Sequence, residues 1–217
     1  MKDILRKLYT LKIFGFRYIS EDYLKIASFD KFDSLDKLNY QVCNCSLCEL
    51  SKYKKNSFCL QKKAKILVIL ENPSLSSDES GEIFTANLGI NLKNILQETK
   101  ILDFCQIVFL IKCPIHTTKF SYKNSLRNCL PYLFDEIRLS EAKFIITMGE
   151  NVANAIFGDI EPLQISHGTI FKINNFSIMP TYEISFVLKN PSKMEEFKKD
   201  LDKFLQIYLE KTASASA

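Results

Sequence analysis

At 217 residues, with ordinary globular fractions of hydrophobic (47%) and charged (25%) side chains, the chain suits one domain with a substantial core, alone or with a small appendage. No apolar run approaches the roughly 20 residues of a membrane span, which excludes a spanning helix. A net charge of only +4 permits nucleic-acid binding without pointing to it, so any phosphate contacts must come from a local basic face.

Met1–Arg6 is charged and leads into no long apolar stretch, so no secretory signal is expected and the location is read as cytoplasmic. Residues 1–41 carry Ile4, Leu5, Leu8, Leu11 and Ile13 at helix-like spacing and read as an N-terminal helical arm packed on the main body. A cysteine-rich loop follows over 42–60. Four short apolar runs then recur: Lys65–Leu70, Gln106–Ile111, Lys143–Met148 and Ser177–Tyr182. Rich in β-branched and aromatic residues, they fit strands buried on both faces. Between them, Leu88, Leu92, Ile95 and Leu96 share one helix face, and Leu126, Leu130, Leu133 and Ile137 share another. The alternation predicts an α/β fold in three layers, a central four-stranded parallel sheet flanked by helices. Ser192 and Glu195 form a capping box that starts a last helix through Phe197, Leu201, Phe204, Leu205 and Tyr208. The main domain therefore spans 42–210, and the low-complexity tail 211–217 is expected to be disordered. Ligands of such sheets bind at the carboxyl ends of the strands, here the loops Glu71–Gly89, Lys112–Tyr122, Gly149–Ala153 and Glu183–Ser192.

Seven cysteines, an odd number with no export signal, argue for thiols or metal ligands and against a disulfide framework. Cys45 and Cys48 form a C-x-x-C; Cys113 and Cys129 lie far downstream with fifteen residues between them. Two close and two distant thiolates suit either zinc or an iron–sulfur cluster. Cys105, beside a strand, reads as a small core hydrophobe, and Cys43 has poor spacing for a ligand. The basic stretches Lys52–Lys55 and Gln61–Lys65 are either phosphate contacts or solvated loop lysines.

Glu71, Pro73, Asp78, Gly81, Phe84 and Gly89 fall, without a gap, at the offsets of a motif that reads roughly G-E-A-P-G, an acidic residue, G-x-P-F and a further glycine. Cys45-Ser46-Leu47-Cys48-Glu49-Leu50 matches C-x-x-C-x-L. Pro180, Thr181, Tyr182, Ser185, Leu188 and Lys189 meet a motif of the form P-T-Y-H-P-S-Y-L-L-R, with Phe186 as its aromatic. In order and spacing, residues 42–207 resemble the family 4, iron–sulfur uracil-DNA glycosylases. The resemblance implies that fold, a structural [4Fe–4S] cluster on Cys45, Cys48, Cys113 and Cys129, a hydrolase-class repair activity on single- or double-stranded DNA, and a monomer. It gives Cys43, Cys59 and Cys105 no ligand role. It also implies a base pocket containing Glu71, Asn72, Phe84 (the stacking aromatic) and Phe109. Ser185, Phe186, Leu188 and Lys189 resemble the family's DNA-intercalating loop, and His167 stands where the family carries a basic residue suited to phosphate.

Two positions depart from that pattern. Excision requires flipping the base into a pocket that reads its edge and stabilises the leaving anion. Phe109 stands where the family has the asparagine that reads uracil, and it offers neither donor nor acceptor. Leaving a polar edge buried without a partner costs about 1–3 kcal/mol. Glu183 stands where the family has the histidine that supports the leaving base. Losing one such donor typically costs about 10²–10³ in rate, and an ionised carboxylate would also repel the anion. Glu71, Glu183 and His116 are the remaining catalytic candidates. Glu71 could orient a water, as could Asp78, whose alternative is loop capping. His116 lies three residues past Cys113; a covalent variant of the superfamily uses a histidine in a nearby inserted loop, but that longer insertion is missing here. The expectation is therefore a DNA-binding, iron–sulfur member of the superfamily in a base-excision-repair role, with weak or no uracil excision. The alternatives are an active glycosylase with rewired residues, acting on uracil or another damaged base, and a non-catalytic interaction module.

Overall fold

A computed structural model describes residues 32–157 and 167–215. Most of the expected N-terminal arm lies outside them. Its last part holds helix α1 (Leu35–Cys43), capped by the Ser34 hydroxyl, which accepts a bond from the Lys37 amide. Then follow strand β1 (Ile66–Leu70), helices α2 (Leu75–Ser80) and α3 (Ala86–Glu98), β2 (Cys105–Phe109), α4 (Tyr122–Ser140), β3 (Phe144–Met148) and α5 (Glu150–Phe157). Strands β4 (Phe171–Ile173) and β5 (Phe176–Thr181) precede α6 (Ile184–Lys189) and α7 (Met194–Ala215).

The sheet order is β2-β1-β3-β5-β4. The four strands expected from sequence are mutually parallel, with Leu70 beside Phe109 and Met148 beside Thr181. The sheet nevertheless has five strands, not four. Phe171–Ile173 adds an antiparallel edge, joined to β5 by Asn174 and Asn175. Asn174 takes the left-handed conformation (φ 54°) that asparagine tolerates. The strand escapes notice in the sequence because it is three residues long and only partly buried.

Alternation along the strands feeds two cores. Leu67, Ile69, Val108, Ile145 and Ile178 face α4 and α5, packing on Leu130, Leu133, Ile137, Val152 and Ile156. Ile66, Val68, Ile107, Phe109, Ile146 and Met179 face α3, α6 and α7, packing on Leu92, Leu96, Val187, Phe197, Leu201 and Phe204. A third cluster of Leu38, Val42, Cys59 and Tyr132 fastens α1 to α4. Among the described residues, no helix is long and apolar enough to cross a membrane.

Two end details differ from expectation. A 3-10 turn, Pro191–Lys193, precedes α7, so the helix starts at Met194 and not at a Ser192–Glu195 box; proline's fixed φ suits the first position of such a turn. The tail expected to be disordered is helical as far as Ala215, with the Thr212 and Ser214 hydroxyls donating to the carbonyls of Tyr208 and Glu210. Its alanines are strong helix formers, which offsets the low complexity.

Beneath the sheet's carboxyl edge sits a buried ion pair that local sequence patterns do not reveal. Lys112, 2% exposed, donates to the Phe109 carbonyl at 2.6 Å and to Glu136 of α4, which is fully buried. The other Glu136 oxygen accepts the Leu60 amide at 3.0 Å. Burial pushes the Glu136 carboxyl above its ordinary range, against the pull of Lys112 and the Leu60 amide.

Two outcomes are expected in denaturant titrations. Lys112→Met leaves the carboxylate uncompensated and lowers stability by about 3–5 kcal/mol. With the folded-state value of Glu136 then further above its unfolded one, stability of that variant falls as pH rises through the folded value. Adding Glu136→Gln recovers part of the loss and removes this pH dependence, because an amide oxygen still accepts the Leu60 amide. Gly168 takes a left-handed conformation (φ 72°), so Gly168→Ala is destabilising by more than about 1–2 kcal/mol, the cost of a left-handed alanine, because a Cβ there would also lie 2.0 Å from Asp200 Oδ1.

Candidate base pocket and thiol centre

A cavity of about 220 Å³ opens at the carboxyl edge of the sheet. Its walls come from the ends of β1 (Leu70, Glu71), β2 (Phe109) and β3 (Met148), from Glu183 and Ile184 after β5, and from α2 and α3. Both departures seen in the sequence, Phe109 and Glu183, thus line one space together with Glu71 and Asn72. Phe109 is 2% exposed and is held edge-on by Phe58, with ring centroids 5.8 Å apart. Glu71 Oε1 accepts from the Asn151 amide at 2.8 Å, and Glu183 Oε1 accepts from the Ser185 hydroxyl at 2.5 Å. The Tyr122 hydroxyl is buried without a hydrogen-bond partner; burial, and then the nearby Glu71 charge, raise its pKa. Asn72 donates to the Pro73 carbonyl at 2.9 Å.

Ile83, not Phe84, is on the cavity wall; Phe84 is half-buried against the same core, with Lys93 Nζ 5.9 Å from its ring centre. The 83–84 backbone crosses α3 at Gly89, where a Cβ would stand 2.9 Å from the Ile83 carbonyl oxygen. Leu88, placed by periodicity on the buried face of α3, is instead 39% exposed because it lines the cavity mouth.

Asp78 and His116 lie off the cavity wall. Asp78 is fully buried and accepts the backbone amides of Lys55 and Asn56 at 2.9 Å, so it clamps the loop after the C-x-x-C to α2. This is the loop-capping alternative. His116 Nε2 approaches the same carboxylate at 3.5 Å, which draws the imidazole to a structural acid and away from the base position. His167 is also committed: Nδ1 meets Asp200 at 2.8 Å and Nε2 meets Glu196 at 3.1 Å. Two carboxylates around one imidazole oppose the phosphate contact expected there. Its ring stacks on Tyr182 (4.2 Å), which stacks on Phe186 (5.3 Å).

Within the expected intercalating loop, now helix α6, Phe186 is 42% exposed and Lys189 is exposed, whereas Leu188 packs partly on the core. Among the basic stretches, Lys52 pairs with Glu49, Lys63 with Glu141, and Lys54 donates to the Val42 carbonyl. Those lysines serve the fold's own contacts. The sequence reading missed Asn151, though it lies in the flagged loop after β3, and it missed Asp200 and Glu196, which only the folding of α7 brings to His167.

The four cysteines share a neighbourhood. Cys113 and Cys129 are buried in one core with Cys48 packed against it, and each feels the charge of Cys45 and Cys48. Asn128 donates to the Leu47 carbonyl at 3.0 Å and ties the C-x-x-C loop to α4 one residue before Cys129. The Lys112 amide approaches Cys129 Sγ at 3.5 Å. Burial pushes the Cys113 thiol up to about 12 and that of Cys129 to about 11, values at which neither is a thiolate without a cation to offset it. Tyr132, beside Cys45, holds a buried hydroxyl with no hydrogen-bond partner. Cys43 is exposed and close to Cys59, which is buried, as is Cys105. Among the described residues, no three His, Cys, Asp or Glu side chains form a group that could hold a single metal ion.

Comparison with known proteins agrees with this geometry. The chain is 28% identical over 183 residues to the Type-4 uracil-DNA glycosylase of Pyrobaculum aerophilum, covering 78% of this chain and 92% of that protein. It is 27% identical over 185 residues to the Type-4 uracil-DNA glycosylase of Saccharolobus solfataricus, covering 79% and 85%. The corresponding protein of Sulfurisphaera tokodaii is 24% identical over 187 residues, covering 81% and 85%. The family model described as the Uracil DNA glycosylase superfamily matches residues 58–208, a span that holds all five strands and the cavity. With the sheet, the pocket at its carboxyl edge and this match in agreement, the chain belongs to the uracil DNA glycosylase superfamily.

Proposed function

We propose that this chain is a monomeric, cytoplasmic DNA-binding protein of base-excision repair, carrying a [4Fe–4S] cluster and excising uracil weakly or not at all. The observation that carries the reading is the cavity lining, which Phe109 and Glu183 share with Glu71 and Asn72. A flipped uracil would meet an aromatic wall where its edge needs an amide. Charge developing on the leaving base would meet a carboxylate in place of a donor. Of the lining groups, Ser74 and Ser77 bond to one another at 2.8 Å, so they offer little to a base.

DNA contact falls to α6. An exposed Phe186 backed by Tyr182 is a stiff apolar wedge of the kind that unstacks a base step, and Lys189 beside it suits a phosphate. Leu188 takes the supporting, half-buried place behind that wedge.

The residues fit the cluster by their donor chemistry. Thiols from three segments, Cys45 with Cys48, Cys113, and Cys129, lie within electrostatic reach of one another, and the buried Tyr132 hydroxyl lacks a partner that a cluster-bound sulfur at Cys45 would supply. A cubane needs thiolates spread around a larger body than a lone ion does, which favours the cluster over zinc at these four positions. Cys45, Cys48, Cys113 and Cys129 would hold it, and it would pin the 45–48 loop to β2 and α4.

Protein purified without oxygen is expected to be brown, with about four irons per chain as a single cubane requires. Cys113→Ser is expected to lose that iron and the colour together. On uracil-containing single- and double-stranded DNA, the same sample is expected to bind with a steep salt dependence but to release little base. Robust turnover would overturn the reading. Phe109→Asn with Glu183→His is expected to raise uracil release by about 10²-fold or more.

A further inference from the structure

The cavity at the carboxyl edge of the sheet has a polarity of its own. Among the described residues, the charged residues of its wall are Glu71 and Glu183, and no lysine, arginine or histidine is among the thirteen residues that line it. Each carboxylate has one oxygen engaged by a neutral donor, the Asn151 amide for Glu71 and the Ser185 hydroxyl for Glu183. These contacts orient the acids without neutralising them, and each keeps its second oxygen as an acceptor. Asn72, Ser74 and Ser77 are the neutral polar residues of the wall, with Asn72 bonded to the Pro73 carbonyl and the two serines to each other, and most of the remainder is apolar: Leu70, Ile83, Leu88, Leu92, Phe109 and Met148. An apolar slot with acceptors and no cation favours a flat ligand that carries positive charge or presents hydrogen-bond donors.

The geometry points to a cationic, N-alkylated purine as the base this pocket takes. This inference rests on the reading of the cavity as a site for a flipped base, and it names the class of base. The chemistry suits the two substitutions. Uracil must leave as an anion, which Glu183 opposes. An N-alkylated purine is already a cation on the strand. When its bond to C1′ breaks, the electron pair goes to the base and cancels that charge, so it departs neutral and no anion needs support. Water is the co-reactant: its oxygen bonds to C1′, and its proton passes to Glu71 or to solvent. Positive charge moves from the base to the sugar during the step, and carboxylates at the cavity suit it at both ends. Phe109 costs nothing here, because the ligand is held by stacking and charge and not by an amide reading the edge of a pyrimidine.

The nucleosides test the pocket apart from the DNA. In equilibrium dialysis at neutral pH, 1-methyladenosine, a cation, is expected to bind about tenfold or more tightly than adenosine, its uncharged counterpart, and than uridine, as one charge-assisted hydrogen bond implies. Glu71→Gln and Glu183→Gln keep shape and hydrogen bonding, and thermal melts establish that each variant is folded. Each is expected to erode the preference, and the pair to abolish it. Adenosine or uridine binding as well as 1-methyladenosine, no binding by any of the three, or a preference that survives both substitutions, would overturn the inference. Oligonucleotides carrying 7-methylguanine, uracil or neither are then compared for affinity and for base released. A nucleoside preference with no affinity for any oligonucleotide keeps the pocket assignment and removes the DNA-repair reading. DNA binding with no nucleoside preference does the reverse.

Discussion

The buried pair of Lys112 and Glu136 is the contact on which the working edge of this fold depends. Lys112 comes just after β2, and Glu136 lies four turns into α4, so the pair draws helix and strand end together. It also spends its remaining bonding capacity on backbone: Lys112 on the Phe109 carbonyl, Glu136 on the Leu60 amide. Three segments are thereby set at once. The segment of Lys112 carries Phe109 to the cavity and Cys113 to the thiols, α4 carries Cys129, and the third brings in the chain that follows Cys45 and Cys48. Two desolvated charges tolerate few alternative arrangements, because each must find its partner or stand alone in a medium of low dielectric. The pair is therefore better understood as setting register than as adding stability.

Around that anchor the superfamily scaffold is retained, and its cavity wall carries Glu71 and Glu183. The strand ends, the Gly89 crossing and the clamp by Asp78 keep the cavity in place. In the proposed reading, what changed is the sign of its lining: an amide and an imidazole favour a neutral base that departs as an anion, and a ring and an acid favour the opposite charge type. Scaffold and site are separable here because the cavity is walled by side chains at strand ends, where one substitution alters chemistry without disturbing the sheet hydrogen bonds beneath.

The two histidines illustrate how placement decides role. Both stand in loops near the expected DNA face, and each is a natural candidate for catalysis or phosphate binding. His116 turns to buried Asp78, and His167 sits between Glu196 and Asp200 under the stacked rings of Tyr182 and Phe186. The second arrangement stiffens the base of α6, so His167 supports the exposed Phe186 from behind and does not itself reach outward.

Much of this was legible in the residues. Apolar runs marked four of the five strands within a residue or two, and alternation along each divided its side chains between two helical layers. Phe109 and Glu183 stand out by their spacing from the motifs that carry the family resemblance, and both lie at strand ends. The edge strand β4, the displaced Leu88 and the helical tail escaped, since each reflects a weak or contrary local pattern. The sequence by itself determined the layered fold, because its apolar pattern repeats every two or four residues along the chain, and its resemblance to a known motif set marked the unusual residue types at two strand ends. Only the tertiary structure decided which acid each histidine meets, that Lys112 finds Glu136, and that two carboxylates close on one cavity. Those partners lie 24 to 38 residues apart or farther in the chain, and no periodic signal links them; they meet only once the helices have packed on the sheet.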